Sequence, residues 1–174
     1  IAKDDEKRAR LIKVIQHDVN RLDRLITDIS NASRLDAELA REDLGRLDMV
    51  KLLGDIASLH RRDPEDPDAA DQPDVQLKAE TEDLFVRGHE GPLSRVFINL
   101  VENAVTFSPK GGVVTVTARR RGGVNGDVVV TIEDEGPGIP ADNLETIFER
   151  FYTQRPAGAA FGSHSGLGLA IARQ

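Results

Sequence analysis

No glycine or proline interrupts the chain from Asp4 to Leu44, and within that stretch Leu11, Ile12, Ile15, Val19, Leu22, Leu25, Ile26, Ile29 and Ala32 recur at spacings of three and four. Such a run predicts one long amphipathic helix, with Lys13, Asp18, Arg21, Asp23, Arg24 and Asp28 on its opposite face. A helix of that length is held by whatever covers its apolar stripe. Ile15, Leu22 and Ile29 stand seven apart, which suits a helical bundle or a coiled coil. The other reading of the same stripe is a core helix of a single globular domain.

Beyond Leu44 the pattern shortens and mixes. An amphipathic helix is predicted from about Asp48 to His60, with Asp48 as its N-cap. The acidic, proline-rich stretch from Arg62 to Pro73 reads as a loop with no core to join. Val75 to Glu80 and Leu84 to Arg87 read as short strands, and Pro92 to Phe107 as a helix with Leu93, Val96, Phe97, Leu100, Val101 and Ala104 on one side. Two β-branched runs follow, Val113 to Ala118 and Val128 to Ile132, joined through Gly122, Gly123, Asn125 and Gly126. A short helix is expected near Asn143 to Phe148, and another begins at Gly166-Leu167-Gly168. The order β, β, α, β, β, loop, α predicts an α+β fold, a two-layer α/β sandwich with helices on one face of a mixed sheet.

Composition narrows the function. A net charge of -7 repels a polyanion, so no nucleic-acid partner is expected, and the basic run Arg119-Arg120-Arg121 reads as a solvated hairpin end. The chain has no cysteine, which excludes disulfide scaffolds and thiolate metal sites. No apolar run approaches the ~20 residues of a membrane-spanning helix. The chain opens at Ile1 inside a helical pattern and without Met, as expected of a piece of a longer protein.

Four local patterns carry chemistry. Asn99-Leu-Val-Glu-Asn103 sets two amides on one helix face, and an Asn carbonyl oxygen is a suitable hard ligand for Mg²⁺. Asp134-Glu-Gly136-Pro-Gly138-Ile139 ends a strand with a carboxylate able to accept from an exocyclic amine and with glycines that let backbone approach a ligand. Ile147-Phe148-Glu149-Arg150-Phe151-Tyr152 groups three aromatics with a cation. Gly162-Ser-His-Ser-Gly166-Leu167-Gly168 leads glycines into a helix, whose free N–H groups favour a phosphate. Each pattern alone also fits a structural role: polar helix surface, a strand-ending turn, a hydrophobic plug and a flexible loop, respectively.

In combination and order, the four resemble the N, G1, F and G2 boxes of sensor histidine kinase catalytic domains, which share the Bergerat or GHKL ATP-binding fold with gyrase, the Hsp90 chaperones and MutL. Arg21-Leu22-Asp-Arg-Leu25-Ile26-Thr-Asp28-Ile29 with Ser33-Arg34-Leu35-Asp36 resembles the second helix of the dimerisation and phosphotransfer hairpin. The stretch from Arg155, with Phe161-Gly-Ser-His-Ser-Gly-Leu-Gly168, is similar to alphaproteobacterial envelope-sensing kinases of the ChvG/ExoS type. The resemblance implies an incomplete hairpin over residues 1–43 and a C-terminally truncated catalytic domain over 44–174.

It further implies ATP and Mg²⁺ as cofactors. Asn103 is the implied metal ligand, and Asn99 the implied support for metal or phosphates. By the same resemblance Asp134 would read adenine, Gly136 and Gly138 would shape the floor, and Ile139 would pack on the base. Gly166, Leu167 and Gly168 would lie at the phosphates, residues 148–165 would form a mobile lid, and Tyr152 and Arg150 would fold toward the nucleotide. The implied partners are a second copy of the chain, through the hairpin helices, and a response regulator receiver domain. The implied place is the cytoplasmic portion of an inner-membrane sensor. The phosphoacceptor histidine belongs upstream of Ile1.

Two positions discriminate among relatives. ATP-hydrolysing members carry a Glu four residues before the metal-binding Asn, whereas this chain has Asn99, a poor base. Thr106 stands where many members have Lys or Arg. His17 lacks the Asn/Thr-Pro that follows an acceptor, and His60, His89 and His164 read as surface or loop residues. The alternative function is a dimerisation and regulator-docking module with an idle ATP site.

Overall fold

The computed structural model describes residues 44–63, 65, 67–123, 126–150, 152 and 166–173, together with Arg8, Leu11, Ile12, Val14, Ile15, Gln16, Val19, Leu22 and Ile26. The chain divides into two compact units, Arg41–Ala141 and a second made of Ile1–Ala40 with Asp142–Gln174.

In the larger unit, strand β1 (Gly45–Asp48) runs directly into helix α1 (Met49–Leu59). Asp48 is the N-cap expected from the sequence: its Oδ1 accepts the N–H groups of Val50 and Lys51 at 3.0 and 3.1 Å. Helix α1 buries Met49, Leu53, Ile56 and Ala57, the four positions of one stripe. Strands β2 (Asp74–Ala79) and β3 (Phe85–Gly88) follow, then helix α2 (Glu90–Phe107) and strands β4 (Val113–Arg121) and β5 (Asp127–Glu133).

Strand β4 is the centre of a mixed three-stranded sheet of order β2-β4-β5, parallel to β2 and antiparallel to β5. It buries Val114, Val116 and Ala118 on one face, the alternation its β-branched run requires. Helices α1 and α2 pack on that sheet. They enclose a core that also contains Val75, Leu84, Val101 and Ala104, with Val86, Phe97, Val130 and Ile132 packed around it. This is the expected α+β sandwich, with one addition. Strand β1, absent from the predicted order, pairs antiparallel with β3 as a separate two-stranded ribbon, Gly45 opposite Gly88 and Asp48 opposite Phe85.

Three expectations are corrected. The segment between α1 and β2 does join the core: a 3-10 turn over Pro67–Asp71 buries Ala69. Its tethers are long-range, with Arg62 Nη2 donating to Gly111 O at 3.2 Å and Lys110 paired with Asp71. The helix expected near 143–148 is two 3-10 turns, Ala141–Asn143 and Thr146–Phe148, short enough that neither closes an α-helical ladder. The basic run is not simply solvated. Arg119 and Arg121 are exposed, but half-buried Arg120 donates to Gly126 O and Asp83 O, each at 3.0 Å.

In the other unit, the described positions from Arg8 to Ile26 are all helical and exposed, as the N-terminal pattern predicts. His17 and the hairpin motif around Asp28 and Ser33 lie outside the described residues. Helix α3 (Gly168–Arg173) packs on the Thr146–Phe148 turn, with Arg173 over the Phe148 ring at 5.0 Å and 3.6 Å from Glu145 Oε2. Among the described residues no helix is long and apolar enough to cross a membrane.

Candidate functional site

Helix α2 carries Asn99 and Asn103 one turn apart, and both are half-buried. The helix holds them because Val101 and Ala104, between and beside them, are buried against the sheet. Asn99 Nδ2 is buried without a hydrogen-bond partner. An unsatisfied buried amide costs free energy unless a ligand or water completes it, so this atom marks a place where a polar group is wanted. Glu102 is exposed, off the face shared by the two asparagines.

The second element is the turn after β5. Asp134 Oδ1 accepts the N–H of Gly136 at 2.8 Å, closing a local turn at the end of the strand. A carboxylate has a second oxygen to offer a ligand. Asp134, Gly138 and Ile139 are exposed, and Ile139 keeps 49% of its surface in solvent.

Gly136 joins this turn to α2. A Cβ on it would stand 2.6 Å from the carbonyl oxygen of Phe107, at the end of the helix one turn beyond Asn103. The structure therefore brings the Asp134 turn against the C-terminal end of the asparagine helix, within one unit. Gly138 has a φ of +73°, a conformation that glycine adopts without strain.

Loops around this centre are tied down. Asp74 accepts from Gln76 Nε2 at 3.0 Å and from the Arg62 N–H at 3.1 Å. These bonds, with the charges of Arg62 and Arg61, hold its carboxyl below the usual carboxylate value against a smaller opposing effect of burial. Thr106 turns its hydroxyl back onto Glu102 O at 2.7 Å, so it presents no hydroxyl donor and no charge where many relatives have Lys or Arg. His89 lies in the loop between β3 and α2, as read from the sequence, and is half-buried there with its Nδ1 buried and unpartnered.

The remaining candidate positions belong to the other unit. Arg150 is exposed, and half-buried Tyr152 donates its N–H to Glu149 O at 3.3 Å. Gly166 has a φ of +72°, and buried Leu167 accepts the first bond of α3 from Ile171 N at 2.9 Å. Phe151 and most of the lid expected over 148–165, His164 included, lie outside the described residues. Sequence reasoning missed Glu135 and Arg173. Glu135 could have been found by extending the β4–β5 register two residues past the strand end, whereas Arg173 left no sequence signal.

Among the described residues no group of three or more His, Cys, Asp or Glu is placed to hold a metal ion. The fit to Mg²⁺ rests instead on neutral amide oxygens and ligand phosphates, a donor set that this ion accepts. The orphaned Asn99 Nδ2 is an N–H donor, so it suits a phosphate oxygen rather than the ion itself.

Comparison with known proteins agrees with the fold. Residues 88–174 match the family described as histidine kinase-, DNA gyrase B- and HSP90-like ATPases. The chain is 46% identical over 178 residues to the sensor protein ChvG of Rhizobium meliloti (strain 1021), covering 100% of this chain and 30% of that relative. Among solved structures, full-length ShkA in complex with AMPPNP superposes with a TM-score of 0.64 at 28% identity, over 84% of this chain and 28% of that one. The histidine kinase ThkA in complex with the response regulator protein TrrA gives 0.58 at 25% identity, over 78% of this chain and 38% of that one. With its asparagine helix, its Asp-Gly turn and this match, the chain belongs to the histidine kinase-, DNA gyrase B- and HSP90-like ATPase family.

Proposed function

We propose that the chain is the ATP-binding catalytic region of a sensor histidine kinase. It transfers the γ-phosphoryl group of ATP to a histidine on the first hairpin helix, outside this chain, for relay to an aspartate of a response regulator. Residues 1–43 then supply the second hairpin helix, through which two copies pair, and 44–174 the catalytic domain. The whole acts on the cytoplasmic side of a membrane-anchored sensor.

The observation that carries this reading is the turn at Asp134–Gly136 seated against the end of the asparagine helix, in which Asn99 Nδ2 is buried and unpartnered. Asp134 accepts the exocyclic amine of adenine, while Gly136 and Gly138 keep the floor open and Ile139 packs on the base. Asn103 holds Mg²⁺, and Asn99 donates to a phosphate oxygen. Bound Mg²⁺ neutralises phosphate charge and orients the transferring group. Gly166, Leu167 and Gly168 bring backbone amides toward the phosphates, and Tyr152 and Arg150 close over the nucleotide. With Asn in place of Glu at position 99, no carboxylate activates water, so phosphoryl transfer to a side chain is favoured over hydrolysis. The partner reading is supported by ThkA, whose complex holds a response regulator, and the nucleotide reading by ShkA, whose complex holds AMPPNP.

A calorimetric titration of the chain with ATP, with and without Mg²⁺, tests the proposal. Magnesium-dependent binding that Asp134→Ala abolishes and Asn103→Asp weakens is the expected result. Binding that survives Asp134→Ala unchanged would overturn the site.

A docking module with an idle ATP site has one observation in its favour, the Thr106 hydroxyl turned back onto its own helix. A folded chain that binds no nucleotide yet pairs with a second copy or binds a receiver domain would establish that reading instead.

A further inference from the structure

The β4–β5 register places Thr115 opposite Glu133, so two more residues of the ladder would set Val113 opposite Glu135. The main chain does not extend that far, because β5 ends at Glu133 and the chain turns away at Asp134. The Val113 N–H still needs an acceptor. Gly112 O faces β2, where it accepts the Asp74 N–H at 2.9 Å, and the C=O and N–H of one trans peptide group point opposite ways, so the Val113 N–H faces the β5 side.

Glu135 fills the vacant rung with its side chain. Its Oε2 accepts the Val113 N–H at 3.0 Å, a carboxylate standing where a main-chain carbonyl would otherwise stand. Position 112 leaves room for it: a Cβ on Gly112 would lie 3.1 Å from that same Oε2 and 2.9 Å from Pro109 O. Asp134 is thus followed by two anchors. Glu135 ties the turn to the first residue of β4, and Gly136 seats it against Phe107 at the end of α2.

We infer that Glu135 is a positioning residue for base recognition, fixing the backbone on which the Asp134 carboxylate is aimed and so setting the preference for adenine, whose six-position carries an amine donor where guanine carries a carbonyl. The inference rests on the nucleotide-binding reading above. A carboxylate can reward adenine over guanine only while its oxygen is held at the amine, because guanine presents a carbonyl oxygen there and repels it. A turn free to swing loses that discrimination before it loses phosphate contacts.

The test compares the wild-type chain with Glu135→Ala, Glu135→Gln, Glu135→Asp and Asp134→Ala, each titrated calorimetrically with Mg·ATP and Mg·GTP. Glu135→Ala is expected to weaken ATP on the order of tenfold, the scale of one charge-assisted hydrogen bond, while GTP binding changes little, so the ratio falls. Glu135→Gln keeps an oxygen for Val113 N–H and should hold the ratio. Glu135→Asp keeps the charge but is one methylene short, and should behave like Ala, which keeps the test decisive if Ala itself fails to fold. A wild-type ATP/GTP ratio in a folded Ala or Asp variant, with binding still abolished by Asp134→Ala, overturns this inference alone. ATP binding that survives Asp134→Ala overturns the nucleotide site and this inference with it.

Discussion

Gly136 and Phe107 approach so closely that no side chain fits between them: a Cβ at position 136 would lie 2.6 Å from the Phe107 carbonyl oxygen, and the same distance from Asp134 Oδ1. Neither obstacle yields cheaply, since one is helix backbone and the other is the carboxylate that closes the turn. Gly136→Ala is therefore expected to displace the turn from the helix end. It should destabilise the fold by about 1–3 kcal/mol, as overpacking does, and reduce ATP affinity at least tenfold. Gly138→Ala meets nothing within 4 Å and carries only the strain of its positive φ, about 1–2 kcal/mol. Urea denaturation and ATP titration of the two variants side by side check the contrast.

Leu53 retains 1% of its surface in solvent and sits where α1 meets the sheet. Leu53→Ala should cost about 2–5 kcal/mol, lost burial plus the cavity left behind. The urea midpoint should fall while the slope of the transition stays constant, because the surface exposed on unfolding is nearly unchanged.

Asp48 satisfies two orphan N–H groups at the start of α1. Asp48→Ala should lower stability by about 1 kcal/mol, and Asp48→Ser should recover most of it, since a hydroxyl also caps. A loss that Ser fails to recover would point to the β1–β3 ribbon, where Asp48 pairs with Phe85, rather than to the cap.

Asp74 gives the pH dependence a definite sign. Its hydrogen bonds from Gln76 and the Arg62 N–H lower its value in the folded chain, so the folded state holds this proton less tightly than the unfolded state does. The stabilisation is complete above the unfolded carboxylate value of about 3.9 and disappears as pH falls through the lowered folded value. The group is largely solvated, so the amount is under about 1 kcal/mol. Asp74→Asn should flatten the fall in urea midpoint below about pH 4 and leave the slope near pH 7 unchanged.

Local chemistry made much of this legible. Asp48 announces its cap, the run Val113 to Ala118 its central strand, and the spacing of Asn99 and Asn103 their shared helix face. What stayed hidden depends on partners far away in sequence. Strand β1 has four residues and a glycine, with no alternation to betray it, and exists because β3 lies beside it. Ala69 is buried because Arg62 and Asp71 reach Gly111 and Lys110, which no reading of residues 62–73 alone reveals. The same holds at the candidate site. The Asp134-Glu-Gly136 pattern was visible, but the service of its middle residue to Val113 appears only once the ladder is drawn.

The parallel pairing of β2 with β4 also has a consequence in time. Asp74 meets Val113, and every residue between them must be accounted for before that ladder closes, including the whole of α2. Parallel strands cannot be joined by a tight hairpin, and contacts so distant along the chain carry a loop-closure cost that slows their formation. The hairpin of β4 and β5 has no such delay. The sheet is therefore expected to nucleate at its antiparallel edge and to complete itself only as the asparagine helix settles, which makes arrival of the candidate site a late step of folding, simultaneous with closure of the sheet.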